Sequence, residues 1–108
     1  MSTVERDLAD YERRVDDRAR YDLALGRQTD DLIDMLRRGH GFMNCNRGEA
    51  ISRVDEDEIT KLVTDLALAE QPSDIEAATR ALRRVVYDEI SGMCREVARR
   101  ELERREAA

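Results

Sequence analysis

One histidine and two cysteines are the side chains in this 108-residue sequence best suited to nucleophilic or soft-metal chemistry. His40 and Cys45 lie together in a glycine-rich stretch, and Cys94 lies far along the chain. A Cys–His nucleophilic pair needs the imidazole within reach of the thiol and a third group to orient the base. The H-x4-C spacing provides neither. A zinc centre needs three or four ligands, and one His with two Cys would have to recruit carboxylates. The expectation is a loop histidine and two small free thiols, with no catalytic residue, no metal and no cofactor. The run Asp55, Glu56, Asp57, Glu58 could attract a divalent cation, but it lacks the alternating Asp pattern and distal Glu of a calcium loop. Standing just before an apolar-periodic stretch, it reads as the first turn of a helix, where the dipole favours carboxylates.

Basic and acidic residues elsewhere suggest binding rather than catalysis. A helix-turn-helix could be laid over 55–85, with a short turn at Gln71–Ser73. Its second helix would open Ser73, Asp74, Ile75, Glu76, which puts acid where phosphates and base edges would lie. Arg80, Arg83 and Arg84 come late for base readout. Glu89 falls by helical phase inside an apolar stripe, between Val86 and Met93. An acid there is costly to bury unless paired. Arg18 is its candidate partner; otherwise Glu89 marks where the stripe opens to solvent or to another protein.

The elements that would position these residues are helical. Ile75, Ala78, Leu82, Val85, Val86, Ile90, Met93 and Val97 recur every three or four residues, the pattern of a helix with one buried face. Ser73 and Glu76 read as a capping box after a helix-stopping Pro72. A helix from Ser73 to about Arg105 would be about 50 Å long at ~1.5 Å per residue. A compact chain of this size has a radius of gyration of only about 13 Å, so such a helix must overhang its domain or meet a second chain. Beyond Val97 the stripe turns charged, so 98–108 is expected to be a solvated extension, with Leu102 on the opposite side. Upstream, Asp55 with Glu58 caps a helix carrying Ile59, Leu62, Val63, Leu66 and Ala69. Glu49 to Val54 is long enough for one helical turn.

Ser2 and Glu5 form a further capping box, and positions 4, 8, 11, 15, 18, 22, 25, 29, 32 and 36 follow heptad spacing. Arg18 and Asp22 make its middle polar. One continuous helix over about 3–38 fits, as does a first helix ended by Gly26 with Thr29 capping a second; a break or kink near Gly26 is the expectation. Gly39–Gly48 is a loop holding three of the five glycines, His40, Phe42 and Cys45. Phe42 and Met43 are expected either to tuck under the bundle or, if exposed, to contact a partner.

The fold class that follows is all-α: one domain over 1–108, a small bundle or antiparallel helical hairpin of three or four helices with a long C-terminal helix. One Pro and five Gly leave little punctuation for a β fold. With aromatics at 4% and no Trp, the core has to be built from Leu, Val, Ile, Ala and Met. A net charge of −6 with both signs interspersed argues against a general nucleic-acid binder. No signal peptide or membrane span is evident, so a cytoplasmic setting is expected. These features point to a non-enzymatic protein-binding module that occupies a partner's surface, with a homodimer as one arrangement and nucleic acid not expected as a direct partner. The candidate contact residues are Phe42, Met43, Glu89, Arg95, Arg99, Arg100 and Arg104. Small acidic helical proteins without catalytic residues are common among phage-encoded inhibitors of host defence, anti-CRISPR proteins included; that is an analogy of type, and no motif carries it.

Overall fold

The computed structural model describes residues 3–107. Those residues are all-α and form four helices: α1 Thr3–Arg37, α2 Arg47–Ser52, α3 Glu56–Leu68 and α4 Pro72–Ala107. The proposed Ser2 cap of α1 lies outside the described residues. Asp55 caps α3 as its sequence suggests, accepting a hydrogen bond from the Glu58 N–H at 3.0 Å. The start of α4 differs from expectation. Pro72 is its first residue rather than the stop before it, which suits a ring that fixes φ and has no N–H to satisfy. Ser73 therefore sits inside the first turn, and Glu76 pairs with Arg80 instead of closing a capping box.

The expected break at Gly26 is absent. α1 runs unbroken for 35 residues, and the Thr29 hydroxyl donates back to the Leu25 carbonyl at 2.7 Å as a mid-helix residue rather than capping a new helix. The termination signal instead operates at Gly39, whose φ of 86° is the left-handed conformation that favours glycine. There the His40 N–H reaches the Met35 carbonyl and the Gly39 N–H reaches that of Leu36, the pairing of a Schellman cap.

α1 and α4 pack antiparallel. The end of α1 around Ile33–Arg37 shares a cleft with Arg83–Ile90 of α4. The buried residues of α4, Met93, Cys94 and Ala98, come after that point, while Leu25, Thr29 and Leu32 of α1 come before it and Leu36 lies at it. Tyr21 and Leu102 complete the cluster at its far end. Each helix is about 52 Å long at ~1.5 Å per residue, yet the molecule measures 72 × 30 × 24 Å. The two helices are therefore displaced along each other by about 20 Å. This displacement explains a radius of gyration of 20.3 Å, well above the ~13 Å of a compact chain this long.

At one end the first four turns of α1 project beyond α4. At the other, the first half of α4 projects beyond α1, and α3 folds back along it, Ile59 and Val63 lining one opening with Thr79, Leu82 and Val86. That side-by-side course is an αα-hairpin.

The core is displaced from where periodicity alone places it. Ile75 is exposed and Leu82, Val86 and Ile90 are only half-buried, whereas Met93, Cys94 and Ala98 are completely enclosed. Ala98 is buried and Leu102 packs on the core, so α4 stays packed past Val97 and the solvated extension begins after Leu102. The last helix overhangs α1 at its start rather than at its charged end, and α1 has an overhang of its own at the opposite end.

Gly26 is exposed, and a Cβ there would meet nothing within 4 Å. Gly26→Ala is expected to stabilise the fold by about 0.5–1 kcal/mol, because alanine costs less backbone entropy in a helix. Urea unfolding checks this; a loss of stability would argue for a break at this position.

Candidate functional site

The loop after α1 is short of regular structure but tightly tied. Phe42 and Cys45 exchange backbone hydrogen bonds at 3.0 Å in both directions. The Asn46 side chain caps α2 by accepting from the Glu49 N–H at 2.8 Å, and its amide donates to the Phe42 and Met43 carbonyls. The Arg47 guanidinium donates to the Leu36 carbonyl, which also accepts from the Gly39 N–H, and to the Arg37 carbonyl at the end of α1. Arg53 then joins α2 to α4 through Glu96 at 3.0 Å. The hydrogen bond from Arg53, with the Arg100 charge next, holds the Glu96 carboxyl below the usual carboxylate range.

This anchoring places α2 beside α4 and creates the main concave feature of the molecule. Ile33, Leu36, Ala50, Ile51, Val86, Tyr87 and Ile90 line a cleft of about 520 Å³, with Arg37, Arg47 and Arg83 also on its wall. A second opening of about 500 Å³ continues from it between α3 and α4, sharing Ile51, Arg83 and Val86 and adding Ile59, Val63, Thr79 and Leu82. Together they form one apolar trough along α4 from Thr79 to Ile90. Neither opening has a carboxylate in its lining, and all of its charged side chains are arginines. Arg37 pairs with Asp34 at the surface. A trough of this kind offers apolar contact beside guanidinium groups.

None of the seven candidate contact residues lies on the trough wall. Phe42 is 45% exposed and shares a shallow depression of about 270 Å³ with Asn44, Val97, Arg100, Glu101 and Arg104. The structure thus brings Phe42, Arg100 and Arg104 together. Met43 is 87% exposed at the tip of the loop. Neither Phe42 nor Met43 tucks under the bundle; Cys45 is the loop residue that plugs the core. Arg95 and Arg99 lie apart, beside Gly92 and Glu96. Arg100 and Arg104 are each bonded to a glutamate on their own helix, Glu96 and Glu101, and Arg99 reaches Glu103 at 3.9 Å.

Glu89 is half-buried and makes no ion pair with Arg18, which is exposed on the far part of α1. The two are separated because α4 passes residue 89 at the level of the end of α1. Among the described residues no group of three His, Cys, Asp or Glu is arranged to hold a metal, and no helix is long and apolar enough to cross a membrane. Comparison with protein-family models, with curated proteins and with solved structures gave no match. The surface itself has to carry the functional reading.

The trough was missed because Leu82, Val86 and Ile90 read as ordinary core. The signal that could have found it is the shortness of α2 and α3, at 6 and 13 residues, against a stripe that continues far beyond what they can cover.

Cys45 and Cys94 are free and buried, with sulfurs 3.8 Å apart. Burial, with Cys45 as a further contributor, pushes the Cys94 thiol up to about 12. A thiol whose pKa is raised on folding contributes stability that is fully present below its unfolded value near 9. That contribution is lost as pH rises from about 9 towards 12. Denaturation curves across that range should show the decline. Iodoacetamide at pH 8 should modify Cys94 about a thousandfold more slowly in the folded chain than in urea; equal rates would place the thiol at the surface.

Proposed function

We propose that this chain is a non-enzymatic protein-binding module that acts by occupying a partner's surface, as an inhibitor, adaptor or regulator. The observation that carries the reading is the trough: a continuous apolar channel along α4, walled by Ile51 and Val86, with arginines as its charged groups. Apolar patches of this extent on a small chain mark interaction surfaces more often than they serve stability. The chemistry suited to it is a helix with one apolar face and carboxylates beside that face, which is the helix-in-groove mode of recognition. Arg83 would meet such carboxylates at the centre of the channel.

The depression around Phe42, Arg100 and Arg104 fits the same reading as a secondary contact. Its arginines are already neutralised by glutamates on their own helix, so it offers less electrostatic selectivity than the trough. A direct nucleic-acid role gains no support from this arrangement, since α3 covers one side of α4 and the first turn of α4 is acidic.

Ile51 is 45% exposed, so Ile51→Glu places a charge in the trough with little effect on the core. Affinity capture with the wild-type chain and with Ile51→Glu is the direct test. A protein retained by the wild type and reduced at least about tenfold by Ile51→Glu is expected. Equal recovery by both baits, or none above background, would remove the trough from the account.

A further inference from the structure

The trough is one of two unpartnered apolar faces on this chain, and the other has complementary length and charge. The start of α1 carries Val4, Leu8, Tyr11 and Val15 in heptad phase, continuing the line of Leu25, Thr29, Leu32 and Leu36 that α4 covers. Because of the displacement between α1 and α4, nothing covers the earlier part. Val4 is 77% exposed and Tyr11 65%. From Val4 to Val15 the stripe measures about 16 Å at ~1.5 Å per residue, and the trough from Thr79 to Ile90 spans the same eleven steps of helix.

The charges match as well. Residues 3–17 hold six carboxylates against three guanidinium groups, while the trough has arginines and no acid in its walls. We infer that the projecting start of α1 from a second copy of this chain occupies the trough, and that the exchange is reciprocal, giving a two-fold dimer. This rests on the reading of the trough as a helix-binding groove and names its occupant.

Reciprocity follows from economy of surfaces. Each copy has one arm and one trough, and a single one-way contact would leave an arm and a trough open to propagate into chains. Closing both at once buries two helix-in-groove contacts. Pairing the two arms with each other instead would cover four exposed side chains from each copy and nothing of the trough. It would also leave both troughs open. In its best antiparallel register, with Val4 against Val15 and Leu8 against Tyr11, the arm pairing would oppose Glu5 and Glu12, a like-charge contact, for each Asp7–Arg14 pair gained. The trough is the better electrostatic match.

The test is sedimentation of the purified full-length chain as wild type, Leu8→Glu and Ile51→Glu, with far-ultraviolet circular dichroism confirming the helices in each. Leu8 and Ile51 are both exposed, and Arg83→Glu, a change at another exposed position, supplies a second trough variant. The wild type is expected to dimerise in the micromolar range. Each single variant should weaken the dimer on the order of tenfold or more. Mixing Leu8→Glu with Ile51→Glu should restore dimer at concentrations where each alone is monomeric, because the mixed pair regains one contact between an intact arm and an intact trough. A wild-type chain monomeric at the highest concentration reached would overturn the inference. Dimers that survive both trough variants would show the arms pairing with each other, and steady growth into larger species would show one-way contacts; either result also rejects the two-fold exchange. A monomer that still captures a protein in an Ile51-dependent way would sink this dimer and leave the trough reading standing.

Discussion

The displacement of α1 against α4 is the constraint on which the remaining structure depends. Two helices of about 52 Å overlap only along their C-terminal parts, so the enclosed core is limited to that overlap: Leu25, Leu32 and Leu36 on one side, Met93, Cys94 and Ala98 on the other. Small residues at 94 and 98 let the helices approach closely, and Cys45 from the loop fills the remaining space. Each consequence at the ends follows from this geometry. Val4, Leu8, Tyr11 and Val15 at the start of α1 stay exposed because α4 has ended, and the first turns of α4 pack with α3 because α1 has ended.

The loop and α2 fix the extent of the overlap. Arg47 binds the carbonyls that end α1, Asn46 ties the loop to α2, and Arg53 fastens α2 to Glu96 of α4. These contacts cross between elements, unlike the many (i, i+4) pairs on the exposed faces, which hold only their own helix. A surface ion pair is worth little by itself, about 0–1 kcal/mol. Here Arg53 and Glu96 matter more for where they place α2, since the position of Ile51 defines the wall that divides and joins the two halves of the trough.

Much of the architecture was legible in the residues, though not its distribution in space. The helical class, the Asp55 cap, the stop at Gly39 and the heptad line through α1 all depend on local chemistry, and local chemistry is what a sequence displays. Gly26 was misread because a glycine in a helix costs only about 1 kcal/mol, which the buried contacts of Leu25 and Thr29 on either side outweigh. The stripe on α4 correctly identified an apolar face but not its covering, because periodicity says which side chains face inward and nothing about how far a partner helix extends. Phe42 stays outside the core and Cys45 enters it for a related reason. The paired hydrogen bonds between them turn the backbone so that the smaller side chain enters the core, a geometry that residue size alone does not reveal.

A thin fold of this kind has a direct consequence for how binding and stability relate. Half-buried Leu82, Val86 and Ile90 contribute less than enclosed residues would, so the hairpin of α3 and α4 is held mainly by contacts that any occupant of the trough would complete. An occupant that binds only the folded chain stabilises it by mass action, by an amount set by its concentration relative to its dissociation constant. The apolar arm of α1 is in the same position, exposed in the single chain and sheltered once paired. Natural small domains avoid leaving long apolar stripes in water unless something covers them. This chain leaves two, at opposite ends of one seam. The Arg18 and Asp22 interruption lies between them, so it separates the segment of α1 that packs within its own chain from the segment that remains available outside it.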